Sequence, residues 1–388
     1  MQFSKRMDRF GDEVFLAMNE RRRAAEAEGR KLYDLSIGTP DFVPDESIRR
    51  ALAEAAMDPE NWKYALRDSD ELLSAVCSYY ARRFGVTVRP ENVASCYGSQ
   101  EGMGHIGLVL CDEGDTVLLP DPCYPVFLAG AKMAGAEPFF YPLTAENGFL
   151  PRVSDIPEEV ARRAKYMIVS LPSNPTGSVG TPEMYREIIA FARKYDIVLL
   201  HDNAYSDILF DGARGGSFLS FPGAAEVGCE FFSLSKSFNM TGARVSFLIG
   251  RRDVIDAFKK LRSQIDFGMF LPVQKAAAAA LSLPREPVER QCLDYEARRN
   301  ALCEGLTAIG WPTPKNAGSM FVWTRAPEGF ASGMDCCLAL IEKAGVVATP
   351  GESFGPLGAG YVRFALVLPP EELKKAVRAI ENSGVLRP

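Results

Sequence analysis

The chain has 388 residues, 47% hydrophobic and 24% charged, with 50 acidic against 44 basic side chains and a formal net charge of −6. That length suits two lobes around a large buried core, without a compositional signature of disorder. The acidic balance argues against nucleic acid or an anionic membrane as main partner. No apolar run reaches the roughly 18 residues of a membrane helix, and His105 and His201 alone cannot make a multi-histidine metal site.

Nine cysteines without a C-x-x-C spacing, and a start lacking the apolar core of a signal peptide, lead us to expect reduced thiols in the cytoplasm. In chain order, residues 11–29 read as a helix ended by Gly29, with Arg21-Arg22-Arg23 as a solvated face. A strand end at 35–38 then runs into Thr39-Pro40-Asp41, a turn with exposed backbone. Helices are expected over 45–57 and 70–84, with the aromatic loop Asn61-Trp62-Lys63-Tyr64 between them. From 93 to 250 short apolar runs alternate with helical segments. The strands are read at 93–97, 116–119, 166–170, 197–200, 230–234 and 245–249, with helices from Ser99, after Pro122 and from Thr181. This predicts an α/β fold: a mainly parallel central sheet with helices on both faces. Helices over 253–265, 273–283 and 287–309 follow, the last linking two lobes. Strands at 320–324, 346–348 and 361–366 with two helices make a smaller α+β domain. The expected division is an N-terminal arm and part of the small domain (1–44), a large domain (45–285) and a small C-terminal domain (286–388).

In such sheets ligands sit at the carboxyl ends of the strands. The run 93–97 leads through Gly98-Ser99-Gln100 into a helix, an N-terminus suited to an anion. The run 166–170 leads to Ser173-Asn174-Pro175-Thr176-Gly177, a turn presenting an amide. The run 197–200 leads to His201-Asp202-Asn203-Ala204-Tyr205, a carboxylate and a phenol three residues apart. The run 230–234 leads to Ser233-Leu234-Ser235-Lys236, with Arg244 eight residues beyond the lysine. Taken alone this last stretch reads equally as a surface loop with a solvated lysine. Together the ends offer an amine, a carboxylate, a phenol, an amide and a phosphate nest. A nitrogen heterocycle bearing a phenolic oxygen, an aldehyde and a phosphate needs those groups, which describes pyridoxal 5′-phosphate.

On these motifs the chain, from about residue 35 to 366, resembles the class I/II aminotransferases. These are the fold-type-I pyridoxal-phosphate enzymes of the aspartate aminotransferase superfamily. The resemblance makes 45–285 the cofactor-binding domain and implies a role for each matching residue. Lys236 in S-L-S-K matches the cofactor lysine. Ser233, Arg244 in T-G-A-R, and the backbone of Ser99 and Gln100 match the phosphate ligands. Asp202 in H-D-N-A-Y matches the partner of the ring nitrogen, Tyr205 and Asn174 those of the ring oxygen, and Tyr124 in D-P-C-Y-P the stacking aromatic. Arg363 in Y-V-R-F-A matches the clamp on the substrate α-carboxylate, with Gly38 nearby. Tyr64 matches a tyrosine that reaches the neighbouring subunit's phosphate, which implies a homodimer. The stretch D-F-G-M-F-L-P-V-Q, residues 266–274, resembles the branch holding LL-diaminopimelate and alanine aminotransferases. Two departures stand out. Ser69 occupies a position where the family usually has glycine. Arg262 is the arginine nearest the region where dicarboxylate-specific members bind the side chain, and we assign it no role.

Other readings compete for some residues. Gly102 to Gly107 fits G-x-G-x-x-G, yet it begins inside a helix, so the glycines are read as helix-packing residues instead of a nicotinamide site. His105 and His201 are expected to be packing residues, and Cys336 and Cys337 buried and inert. Arg363 lies on a strand beside apolar residues and needs a buried anionic partner. The expected activity is ping-pong transamination from an L-amino acid to a 2-oxo acid, by family 2-oxoglutarate. In it Lys236 is base and acid, and Asp202 and Tyr205 support the ring. A pyridoxal-phosphate C–S β-lyase and a non-catalytic ligand-binding protein are the alternatives.

Overall fold

The computed structural model describes residues 2–10, 16–213 and 215–386. The short strand β1 (Tyr33–Asp34) comes first. The central sheet is built from β2 (Val93–Cys96), β3 (Thr116–Asp121), β4 (Glu137–Pro142), β5 (Ala164–Ser170), β6 (Val198–Asn203), β7 (Gly228–Ser233) and β8 (Ser246–Gly250). Their spatial order is β2-β8-β7-β6-β5-β3-β4, and β8 runs against all the others. The central strands are buried along their whole length, as continuous apolar runs between two helical layers should be. Strand β4 has no counterpart in the expected elements. Its Pro138 and Pro142 argue against an interior strand, and it occupies the sheet edge, where prolines are tolerated.

Helix limits follow local chemistry. Asp45 caps Glu46–Met57, accepting from Ser47 N at 2.9 Å. Ser69, the unexpected residue, caps Asp70–Phe84 by accepting from Leu72 N at 3.2 Å, and Gly85 ends that helix at φ 67°. The helix expected over 253–265 stops at Arg262, because Asp266 folds back onto the Arg262 guanidinium. The long helix expected over 287–309 is Glu286–Ala308.

The remaining strands are β9 (Phe321–Arg325), β10 (Val346–Val347), β11 (Thr349–Pro350) and β12 (Tyr361–Ala365). Where one strand is expected over 346–348, the chain makes two. Strand β10 pairs in parallel with β1, and beyond Ala348 the chain joins a second sheet, β11-β12-β9. That change of sheet sets Thr349 opposite Arg363. A second apolar core forms here around Leu35, Trp311, Phe364 and Leu373. No helix among the described residues is long and apolar enough to cross a membrane.

Candidate active site

Because β5, β6 and β7 run in parallel, Ser170, Asp202 and Ser233 reach one edge of the sheet. A cavity of about 920 Å³ opens there, lined by every expected site residue except Tyr64. Tyr64 is 80% exposed and leans on the Phe267 ring at 5.0 Å.

One end of the cavity gathers groups that could hold an anion. Helix Ser99–Leu110 starts at Gly98 with no side chain capping it, and Ser99 Oγ is buried without a partner among the described residues. Gly98 holds φ 83°, and a Cβ there would strike the Arg244 guanidinium, so glycine lets that side chain lie against the helix start. Arg244 also donates from Nη1 to Thr241 O at 2.9 Å. Ser233 ends β7 and caps the single turn Leu234–Ser237, accepting from Ser235 N at 3.1 Å.

Lys236 lies in that turn. Its carbonyl accepts from Gln291 Nε2 at 2.8 Å, and the adjacent Ser237 Oγ donates to Asp207 at 2.7 Å. Its Nζ donates to Gly38 O at 2.5 Å. Burial, then repulsion from Arg363 and Arg244, brings the amine down to about 8. A neutral amine able to attack an aldehyde is thereby accessible near neutral pH. Asp202 is buried and pushed up to about 6 by that burial, against the opposing effects of His201, Ser170 and the Ala204 N–H. Its Oδ2 accepts from Ser170 Oγ at 3.2 Å, while Oδ1 has no partner among the described residues. A protonated ring nitrogen would satisfy Oδ1 and offset the burial. Tyr205 and Tyr124 also line the cavity, their phenols pushed up by burial. Tyr205 meets Phe321 edge-on, and Tyr124 donates to Gln100 Oε1 at 3.0 Å.

The other end holds Arg363. Nη1 donates to Asn174 Oδ1 at 2.8 Å and Nη2 to Ser36 O at 2.7 Å and Thr349 Oγ1 at 3.2 Å. The guanidinium lies 4.2 Å from the Phe321 ring and 4.7 Å from Phe354. No carboxylate among the described residues pairs with it, and burial lowers it to about 10. A buried, oriented cation without a counter-charge suits an incoming carboxylate.

Several contributors escaped the sequence reading: Thr349, the Ser36 carbonyl, Phe321, Phe354, Ser170 and Gln291. Ser170 ends a recognised strand and could have been found by that position. The arginine run also needs correction. Arg21 and Arg23 are exposed, but Arg22 lines the cavity and pairs with Asp34, because the helix turns that one residue inward. Arg262 is spent on Asp266 and Ser95 O and does not line the cavity. The glycines of 102–107 lie within helix Ser99–Leu110, where a Cβ on Gly102 would strike Phe231 and one on Gly107 the Gly130 carbonyl. His201 faces away into a buried network with Glu230 at 3.2 Å and Tyr185 at 3.0 Å, and His105 bonds Glu101 at 2.7 Å.

Residues 30–380 match the family model described as aminotransferase class I and II. The chain is 42% identical to the LL-diaminopimelate aminotransferase of Moorella thermoacetica, over 98% of each chain. Among solved structures, substrate-bound BacF from Bacillus subtilis superposes with a TM-score of 0.94 at 34% identity, over 98% of each chain. A probable N-succinyldiaminopimelate aminotransferase from Thermus thermophilus gives 0.91 at 36% identity, covering 96% of this chain and all of that one.

Proposed function

We propose that this chain, which belongs to the class I and II aminotransferase family and uses pyridoxal 5′-phosphate, takes its amino group from LL-diaminopimelate and passes it to 2-oxoglutarate. That it moves an amino group from an amino acid to a 2-oxo acid follows from the family. The observation that carries the choice of donor is the end-to-end likeness to proteins named for that substrate.

When bound, the cofactor supplies an aldehyde that carries the amino group and a ring that withdraws electrons. Ser99, Ser233, Arg244 and the N–H groups at the start of helix Ser99–Leu110 hold its phosphate, and Gln100 closes that end beside Tyr124. Asp202 Oδ1 holds the ring nitrogen. Asn174 and Tyr205 hold the ring oxygen, and Tyr124 covers the ring face. Arg363 takes the substrate α-carboxylate, with the Gly38 backbone beside it. Lys236 would hold the cofactor through its amine and would move the proton at the substrate α-carbon. Support for this assignment comes from three buried polar atoms left open among the described residues, Ser99 Oγ, Asp202 Oδ1 and Arg363 Nε. The large domain, 45–285, carries these cofactor residues. The active form is a homodimer in the cytoplasm in which Tyr64 reaches the partner's site. Exposed Tyr64, Trp62, Phe267 and Phe270, together with nine free thiols, support that reading.

A panel of LL-diaminopimelate, alanine, aspartate and methionine against 2-oxoglutarate tests the donor. LL-diaminopimelate should lead in kcat/KM by about tenfold or more, equivalent to about 1.4 kcal/mol. Any other donor in front overturns this choice.

A further inference from the structure

One guanidinium in the cavity wall has no part in the chemistry above. Helix Leu16–Ala27 contributes two side chains to that wall, Met18 and Arg22, four residues apart and therefore on one helix face. Met18 is buried, while the Arg22 side chain is 28% exposed. Arg22 Nη1 donates to Asp34 Oδ2 at 3.1 Å, and Glu26 lies 3.8 Å from Nε. Asp34 is fixed in turn, its Oδ1 accepting from Ser36 N at 3.0 Å and Ser36 Oγ at 2.6 Å. The Ser36 carbonyl is the one that holds Arg363 Nη2. Two residues at one strand end, Asp34 and Ser36, therefore tie two guanidinium groups into one frame. Among the described residues Arg22 makes a single hydrogen bond, through one of its three nitrogens.

We infer that Arg22 is a specificity-determining residue that receives a carboxylate at the far end of the substrate side chain while Arg363 holds the α-carboxylate. This rests on the transaminase reading of the cavity and gives its substrate class as dicarboxylates. A guanidinium is a planar fork matched to carboxylate geometry, and its partial burial strengthens its attraction for an anion. Asp34 orients the fork without filling it. Met18, one turn away, offers an apolar surface to the methylenes that separate the two carboxylates. A side chain as short and neutral as that of alanine gains nothing from either residue.

The test compares 2-oxoglutarate with pyruvate as amino acceptor for the loaded enzyme, its Arg22→Met variant and its Arg22→Lys variant. The two acceptors share a reacting end and differ in the distal carboxylate. In Arg22→Met the ratio of kcat/KM for 2-oxoglutarate over pyruvate should fall about 10- to 100-fold, the range of one charge-assisted hydrogen bond. The loss should sit mainly in KM, and Arg22→Lys should recover part of it. Binding without turnover gives a second readout: glutarate, followed through the cofactor absorbance, should bind Arg22→Met about tenfold or more weakly, and butyrate should not. Equal losses for both acceptors would show that Arg22 only supports its helix, and no change in the ratio would exclude contact with substrate. Either result overturns the inference, as does a wild-type enzyme that binds glutarate no better than butyrate. A protein that ignores LL-diaminopimelate but passes these comparisons loses its proposed donor and keeps the role of Arg22.

Discussion

Arg262, beside the central sheet, and Arg363, in the small sheet, are both buried guanidinium groups, and their surroundings differ in one respect. Arg262 has a carboxylate. Asp266 takes Nε at 3.1 Å and Nη2 at 2.7 Å, and Nη1 donates to Ser95 O. Burial lowers its pKa, but the Asp266 bond and nearby acidic groups outweigh that and leave it raised. Arg298 and Arg299 on helix Glu286–Ala308 are likewise held by Asp41 and Asp211. Arg363 has only neutral acceptors and two aromatic faces, and burial prevails. A buried guanidinium whose fork is filled through two nitrogens by its own carboxylate belongs to the architecture. One without a counter-ion is held for something that arrives from outside. Asp202 Oδ1 and Ser99 Oγ repeat that pattern at the other end of the cavity.

If this contrast is right, losing an open group should cost activity, and losing a committed group should cost stability. Lys236→Ala is the largest case. It should abolish steady-state transamination and the visible absorbance of the attached cofactor, because no other cavity residue supplies an amine. Retention of both would remove Lys236 from the chemistry. Next, Arg363→Met should lower kcat/KM for amino acids about 100-fold or more, on the order of 3 kcal/mol, with no loss of thermal stability, since an uncompensated charge leaves the interior. Destabilisation with intact kinetics would reverse the assignment. Arg262→Met should do the opposite, costing about 3 kcal/mol of unfolding free energy because Asp266 loses its partner, with kcat/KM little changed. Chemical denaturation beside steady-state assays checks the pair.

The smallest effect is one of pH. With the amine at about 8, the neutral form of Lys236 loses roughly a factor of ten for each pH unit below that value. Cofactor capture by the cofactor-free protein should therefore accelerate as pH rises to about 8 and level off above. Stopped-flow absorbance would follow it. A midpoint near the ordinary 10.5 would mean that Lys236 stands in water.

Much of the Lys236 end of the cavity was readable because it is local. Ser233 and Lys236 lie within four residues, Asp202 and Tyr205 within another four, and Gly98 to Gln100 are consecutive. Each group ends a strand, and parallel strands carry their ends to one edge. The helix starts at Asp45, Ser69 and Thr181 were local too, since a cap is made by residues two or three apart. The amino-acid order thus determined by itself the α/β class and which side chains stand at the strand ends that line the cavity. Tertiary structure alone decided what stands around Arg363 and Arg22. Arg363 meets the carbonyl of Ser36, 327 residues away, and a backbone carbonyl leaves no mark in a sequence. Thr349 reached Arg363 only because the chain changed sheets at Ala348. Among three consecutive arginines only helix rotation selects Arg22 for the cavity, and whether an arginine is satisfied depends on which acid folding brings beside it.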